Sequence, residues 1–259
     1  MEIIVCVKRV PLTQEVDLEI NPQRTDVRKD MLAFSINEWD NYAIEEAVIL
    51  KEKHGGTVTA VTVGTEEDEE ALRRCLAMGA DKAIRVETGG FFPDGFAVAK
   101  ILAQVIQGMP HDLVLTGVQT DDFNEGSVGT MVAEFLNLAH AAVVTGVAPE
   151  GDRATVRVEL EGGVEEVSRI NLPALLSIQT GINEPRYVSI MGIRKAAKKE
   201  LNVVKIEDLG LSQEDLAPWT TVEELFFPPE TEGAQFLEGD PATVAEEILR
   251  ILKEKGVKK

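Results

Sequence analysis

Short apolar runs alternate with helix-length segments through the first half of the chain. Residues 2–8 (EIIVCVK), 57–64 (TVTAVTVG), 82–87 (KAIRVE) and 112–117 (DLVLTG) are rich in β-branched residues and predict strands buried on both faces. Between them, Ala43, Ile44, Ala47, Val48 and Leu50 form a helical stripe within a segment from about Asn37 to Lys53. Asn37 stands where an N-cap belongs, and Asp40, three positions on, suits a capping-box partner. A second helix opens at Thr65-Glu66-Glu67-Asp68 and carries Leu72, Leu76 and Ala80; a third spans about 95–107 and a fourth about 127–138. Strand alternating with helix implies an α/β fold: a doubly wound, mostly parallel sheet with helices on both faces.

From residue 141 the rhythm changes. AAVVTGV, RATVRVELEGG, GVEEVSRIN and PALLSIQTG are four strand-like runs, and Gly162-Gly163 suits a hairpin, so an antiparallel section is expected. After Pro185 come a basic helix, a connector with Pro218, Trp219, Pro228 and Pro229, and a last helix from Asp240-Pro241 to the Lys253, Lys255 and Gly256 region. The expected division is an α/β domain over 1–190 and, over 191–259, a basic helix with a C-terminal arm that packs on a partner surface because it has little of its own to bury. No internal repeat is visible.

Composition narrows the partners. With 44% apolar and 27% charged residues the chain is of ordinary globular type, long enough for a substantial core. A formal net charge of −19 repels phosphate backbones and anionic membranes, which excludes nucleic acid as an expected partner. No apolar run approaches the roughly 18 residues that span a bilayer, and MEIIVCVKRV lacks the basic leader of a secretory signal. No membrane insertion and a cytoplasmic location are therefore expected. Cys6 and Cys75 lack metal-ligand spacing and read as reduced, buried residues. Against this acidic background, residues 181–200 (GINEPRYVSIMGIRKAAKKE) gather Arg186, Arg194, Lys195, Lys198 and Lys199 around Tyr187, Ile190, Met191 and Ile193. Such a segment is usually built to touch something.

Candidate chemistry is sparse. After the fourth strand comes GVQTDDFNEGSVGTMVAEFL, residues 117–136. In an open parallel sheet ligands bind beyond the carboxyl ends of the strands, and a glycine-bearing loop entering a helix offers backbone N–H groups to a phosphate. Gly126, Ser127, Val128, Gly129 and Thr130 suit that role, although Gly-Ser before a helix also serves as ordinary capping. There is no GxGxxG, no GxxxxGK[ST] and no metal-ligand cluster. His54, His111 and His140 stand apart, and no Ser or Cys occupies a nucleophile elbow, so no catalytic residue is assigned. Asp121 and Asp122 read as a general-base pair or as capping and solvated loop acids, and Trp39 as a cover for a flat ligand or as half-buried core.

The order IIVCVKRVP, INEWDNYAIEEAVILKEK, AVTVG, CLAMGADKAIRV, DLVLTGVQTDD…SVGTMVAEFLN, LEGG and INEPRYVSIMGIRKAAKK resembles the β subunit of electron transfer flavoprotein, from about residue 2 to residue 211. The NEWD form and the GVQ loop are most similar to the bacterial branch serving methylamine-type dehydrogenases. The resemblance implies an adenine-nucleotide-binding type of fold and a heterodimer with an α subunit holding a redox-active FAD. It implies an electron carrier, not an enzyme, that shuttles electrons from flavin-containing dehydrogenases to an acceptor such as a quinone-linked oxidoreductase. It further implies a structural AMP: Cys6, Asn37, Asp40 and Val63 at the adenosine end, with Asp122 and Glu125, Gly126, Ser127, Val128, Gly129, Thr130 and Met131 at ribose and phosphate. Trp39, with Thr13 nearby, falls where the family places an aromatic near the other subunit's flavin. The segment after NEPRY corresponds to a recognition loop that docks the dehydrogenase, here with Pro185, Arg186, Tyr187, Ile190, Met191, Arg194 and Lys195, and with Ile190 entering a partner pocket. The alternative packs this segment on its own subunit or turns its cations toward the α subunit. Part of the family bifurcates electrons with a second FAD at the AMP position, and Val10-Pro11 and Asp40 keep that alternative open. Asn37-Glu38, Phe123 and Glu125 depart from the commoner family residues.

Overall fold

The computed structural model describes every residue except 15, 213, 230–232, 235 and 258–259. Its centre is a nine-stranded sheet. In chain order the strands are β1 (Glu2–Cys6), β4 (Thr57–Gly64), β5 (Lys82–Glu87), β6 (Leu113–Gly117), β7 (Ala139–Glu150), β8 (Arg153–Leu160), β9 (Val164–Asn171), β10 (Ala174–Ile178) and β11 (Leu201–Lys205). Two further short strands, β2 (Arg9–Pro11) and β3 (Phe34–Ile36), pair antiparallel with each other. Across the sheet the order is β11-β5-β4-β1-β6-β10-β7-β8-β9, parallel from β11 to β7 and antiparallel through β8 and β9.

The buried strands sort their side chains with period two. Ile3, Val5 and Val7 join one core with Leu113, Leu115, Ala174 and Leu176, while Ile4 and Cys6 join a second with Val114 and Leu175. The first core is closed by α1 (Glu38–His54) and α2 (Glu69–Met78), through Ala43, Ile44, Ala47, Leu72 and Leu76. The second is closed by α3 (Gly95–Gln107) and α4 (Val128–Phe135), through Ile101, Leu102, Val132 and Ala133. Each fully buried Leu or Ile contributes about 2 kcal/mol, and both layers depend on the same strands. The α/β, doubly wound, mostly parallel architecture with an antiparallel part is as the sequence pattern implies.

Two elements differ from the expectation. The run 173–181 does not extend the antiparallel section: β10 inserts parallel between β6 and β7. All five of its residues, Ala174–Ile178, are buried, as befits a central strand covered on both faces. Residues 201–205, which the sequence leaves in the arm, form β11, a parallel edge strand on β5. The basic helix is short, α5 (Ile190–Ala196), with the Ser189 hydroxyl accepting the Gly192 N–H at 3.1 Å. Met1–Glu223 form one compact unit, which includes residues 191–223. Glu224–Lys259 form a second unit carrying α6 (Pro241–Glu254), opened by Asp240, whose carboxylate accepts the Ala242 and Thr243 N–H groups at 2.9 and 3.2 Å. Among the described residues no helix is long and apolar enough to cross a membrane.

Candidate functional site

The chain runs from β1 outward to β4 and β5, then returns through α3 to β6 on the other side of β1. The strand order therefore reverses between β1 and β6, which opens a crevice at their carboxyl ends. Asn37 and Asp40 lie there, and they do not form the expected capping box. The Asn37 amide donates to the Gln119 carbonyl at 2.8 Å, and its oxygen accepts the Asp121 N–H at 3.1 Å. Asp40 accepts the Lys8 N–H at 2.8 Å with one oxygen and the Gly117 N–H at 3.0 Å with the other. One buried carboxylate thus ties the exits of β1 and β6 to the start of α1. The backbone N–H at the start of α1 finds another acceptor: the Glu38 N–H donates to the Asp121 carboxylate at 3.4 Å.

Burial pushes the Asp40 carboxyl up to about 7, against the Lys8 and Gly117 hydrogen bonds that pull it down. Burial, then the charge of Asp40, pushes the neighbouring Cys6 thiol up to about 12, so that free cysteine is inert at neutral pH. Gly117 allows the close approach of α1, because a Cβ there would lie 2.5 Å from Asp40 Oδ1.

The loop after β6 leads into α4 (Val128–Phe135). Gly126 has φ of 63°, a conformation that favours glycine. Ser127 stands before α4 without a side-chain cap, and the backbone N–H groups from Glu125 to Thr130 have no acceptor among the described residues. Gly129 lets the first turn of α4 sit on the strand ends, since a Cβ would lie 2.6 Å from Thr116 Oγ1 and 2.7 Å from Ser177 Oγ. Those two hydroxyls are 3.0 Å apart. Of the loop's acids, Asp121 accepts the Glu38 N–H and Asp122 is paired with Lys8 Nζ at 2.6 Å, while Glu125 stands exposed at the start of the N–H run. Lys8 also lies 4.8 Å from the Phe123 ring. Cys6 and Val63 stand at or near the ends of β1 and β4, Thr130 is exposed, and Met131 packs on the second core. An anion held by backbone N–H groups, with an apolar body toward β1 and β4, fits this edge.

Trp39 is half-buried beside Gly117, and its indole N–H donates to Gln179 Oε1 at 3.0 Å. The Gln179 amide in turn donates to Glu159 at 3.0 Å. Sequence reasoning missed this relay and also missed Lys8, Gly117, Thr116 and Ser177. Only Gly117, ending a strand run, carried a local signal.

The second candidate region lies over α1 and α2. Tyr187 is 90% exposed, Ile190 70% and Met191 68%, while Pro185 is half-buried and Arg194 and Lys195 are exposed. Arg186 faces its own chain: Nε lies 2.9 Å from the buried carboxylate of Glu45, and Nη1 2.8 Å from Glu52. The Asn183 amide donates to the Tyr42 carbonyl at 3.1 Å and to Glu46 at 3.0 Å. At the other end, Lys199 Nζ donates to the Leu76 and Ala80 carbonyls at 2.9 and 2.8 Å, and Arg73 Nη1 to the Ala196 and Lys199 carbonyls at 3.2 and 2.8 Å.

Residues 29–209 match the electron transfer flavoprotein domain. Over 98% of both chains, the sequence is 39% identical to the electron transfer flavoprotein subunit beta of Methylophilus methylotrophus and equally identical to that of Bacillus subtilis. The human electron transfer flavoprotein subunit beta is 36% identical, covering 99% of this chain and 98% of the relative. A doubly wound sheet with a switch point between β1 and β6 and near-complete coverage at these identities lead to one assignment. The chain belongs to the electron transfer flavoprotein family as a β subunit, and its role is electron transport as part of a flavoprotein.

Proposed function

We propose that this chain pairs with an electron transfer flavoprotein α subunit that holds FAD, and that it carries AMP as a structural nucleotide at the β1/β6 edge. The observation that carries the reading is the run of acceptor-free N–H groups from Glu125 to Thr130 at the switch point, joined to the start of α4. Glu125 to Met131 would hold the phosphate and Asp122 the ribose; Cys6, Asn37, Asp40 and Val63 would hold the adenosine end. When bound, AMP supplies an anion and a stacking face but no redox chemistry. What this chain's residues do is orient and fix: Asp40 and Asn37 hold three loop ends together, and Gln179 fixes the Trp39 indole.

In the same reading the segment around Ile190 docks flavin-containing dehydrogenases, in the manner of a single aliphatic anchor. Burying one Ile is worth roughly 1.5–3 kcal/mol, enough to orient a transient complex without holding it. Electrons pass on to an acceptor such as a quinone-linked oxidoreductase, and the complex works in the cytoplasm. A second FAD at the AMP position, with electron bifurcation, is the competing reading. Denaturing the purified heterodimer and quantifying its nucleotides separates the two. One FAD and one AMP per heterodimer are expected; two FAD and no AMP would replace the carrier by a bifurcating subunit.

A further inference from the structure

Among the described residues between 211 and 223 the chain forms neither helix nor strand, yet it is held at several points across the start of α3. The Asp94 carboxylate divides its two oxygens. Oδ1 accepts the Ala97 N–H at 2.9 Å and caps α3, while Oδ2 accepts the Trp219 and Thr220 N–H groups at 2.7 and 2.9 Å. The Trp219 ring stacks on Phe96 with centroids 4.0 Å apart and planes at 19°, although Trp219 stays 73% exposed. Lys100, further along α3, pairs with Asp215 at 2.9 Å, and Asp215 in turn accepts the Ser212 N–H and hydroxyl at 3.0 and 2.7 Å. Leu211 and Leu216 pack on the second core.

The residues this strap holds are the ones that bear on α4. Near the start of α4, Gly95 leaves space for the Glu125 carboxylate: a Cβ there would lie 2.5 Å from Glu125 Oε2 and 3.5 Å from the Val128 side chain. At the end of α4, Phe135 meets the Phe96 ring edge-on at 5.5 Å. The first turn of α3 therefore carries the strap and abuts both ends of α4. Resting on the nucleotide reading above, we propose that the strap from Leu211 to Thr220 is a latch on the phosphate loop, closed through Asp94 and the Phe96–Trp219 stack, so that strap closure and AMP occupancy stabilise each other. Asp94, Phe96 and Trp219 are positioning residues and touch no nucleotide. The loop from Val118 to Ser127 forms no helix or strand, so the spacing of its N–H donors depends on where α4 is held. Donors whose spacing is set before the anion arrives bind it without a further ordering cost. By linkage, a ligand that favours the ordered loop favours the closed strap to the same degree. A strap secured by one carboxylate, one ring stack and one ion pair opens locally at far lower cost than the sheet, which makes it the part able to respond.

The test uses the heterodimer with its α subunit and reads two quantities: amide hydrogen exchange of the peptide spanning Trp219 and Thr220, and the rate at which bound AMP is replaced by labelled AMP. In the wild type, removing AMP should speed exchange of that peptide roughly ten-fold. Trp219→Ala removes a mostly exposed ring and should speed both strap exchange and AMP release roughly ten-fold, while the peptides of β1 and β6 exchange as in the wild type. Trp219→Phe, which keeps a ring on Phe96, should restore both rates. Strap exchange that ignores AMP would overturn the latch. So would a Trp219→Ala heterodimer whose strap exchanges at the wild-type rate, or one whose strap opens while AMP leaves at the wild-type rate. A wild-type heterodimer that carries no AMP and binds none is a different failure: it takes down the nucleotide reading, and the latch with it.

Discussion

The crevice between β1 and β6 and the segment over α1 and α2 are built on opposite principles. In the crevice, polar side chains are buried and turned inward: Asp40 is 5% exposed, Asn37 is fully buried, and each joins two separate stretches of backbone. Over α1 and α2 the apolar side chains face outward, and the charges that hold them sit beneath or at the ends. A permanent small ligand needs donors whose geometry is fixed before it arrives, and a buried hydrogen-bonded web provides that. A transient protein partner needs apolar surface left unsatisfied, held in place by contacts that the partner does not disturb. The two regions share α1, which supplies Asp40 at its start and Glu45 and Glu52 further along.

The sharpest way to break the contrast is to remove the carboxylate of the crevice. Asp40→Ala orphans the Lys8 and Gly117 N–H groups and should lower stability by about 3 kcal/mol, with loss of bound AMP, measured by denaturant unfolding and nucleotide content of the heterodimer. The same residue sets a pH signature. Its native carboxyl titrates near 7, above the ordinary carboxylate value, so between about pH 4 and pH 7 the folded chain keeps a proton that the unfolded chain has released. This contribution to stability is complete below that window and is lost as pH rises through it. Asp40→Asn should flatten that part of the stability profile; an unchanged slope would place the titration elsewhere.

Gly129→Ala comes next. The new methyl would press on Thr116 and Ser177, and overpacking there should cost about 2 kcal/mol while moving the first turn of α4 off the proposed phosphate position. Gln179→Ala removes one hydrogen bond from Trp39 and should cost about 1 kcal/mol, with a changed flavin fluorescence spectrum as the more telling readout. Ile190→Ala is the smallest in stability, within about 0.5 kcal/mol of wild type because its side chain is mostly exposed.

The sheet and its helices were legible because strands covered on both faces read as unbroken apolar runs, and the helical stripes of α1 and α2 match their burial. The parallel course of β10 was hidden for the same reason it is central: Ala174–Ile178 has no alternation to reveal which neighbours it takes. β11 was masked by the lysines around it, since an edge strand needs few apolar residues. In the site, Gly126 and Gly129 around the start of α4 were the local signal for the loop. Asn37 and Asp40 suggested a local cap because capping is what those residue types do within three positions. Their partners, Gln119, Asp121, Lys8 and Gly117, come from strand exits that only the folded sheet brings together. Arg186 shows the same limit from the other side, since its ion pairs with Glu45 and Glu52 on α1 join residues far apart in sequence.

The most direct test is the rate of electron transfer from a dehydrogenase to the flavin of an Ile190→Ala heterodimer whose AMP and FAD contents have been confirmed as equal to wild type. If the crevice holds the nucleotide and the exposed segment serves the partner, the second-order rate falls roughly ten-fold with nucleotide content intact. An unchanged rate at full nucleotide content would contradict the division of labour between the two regions.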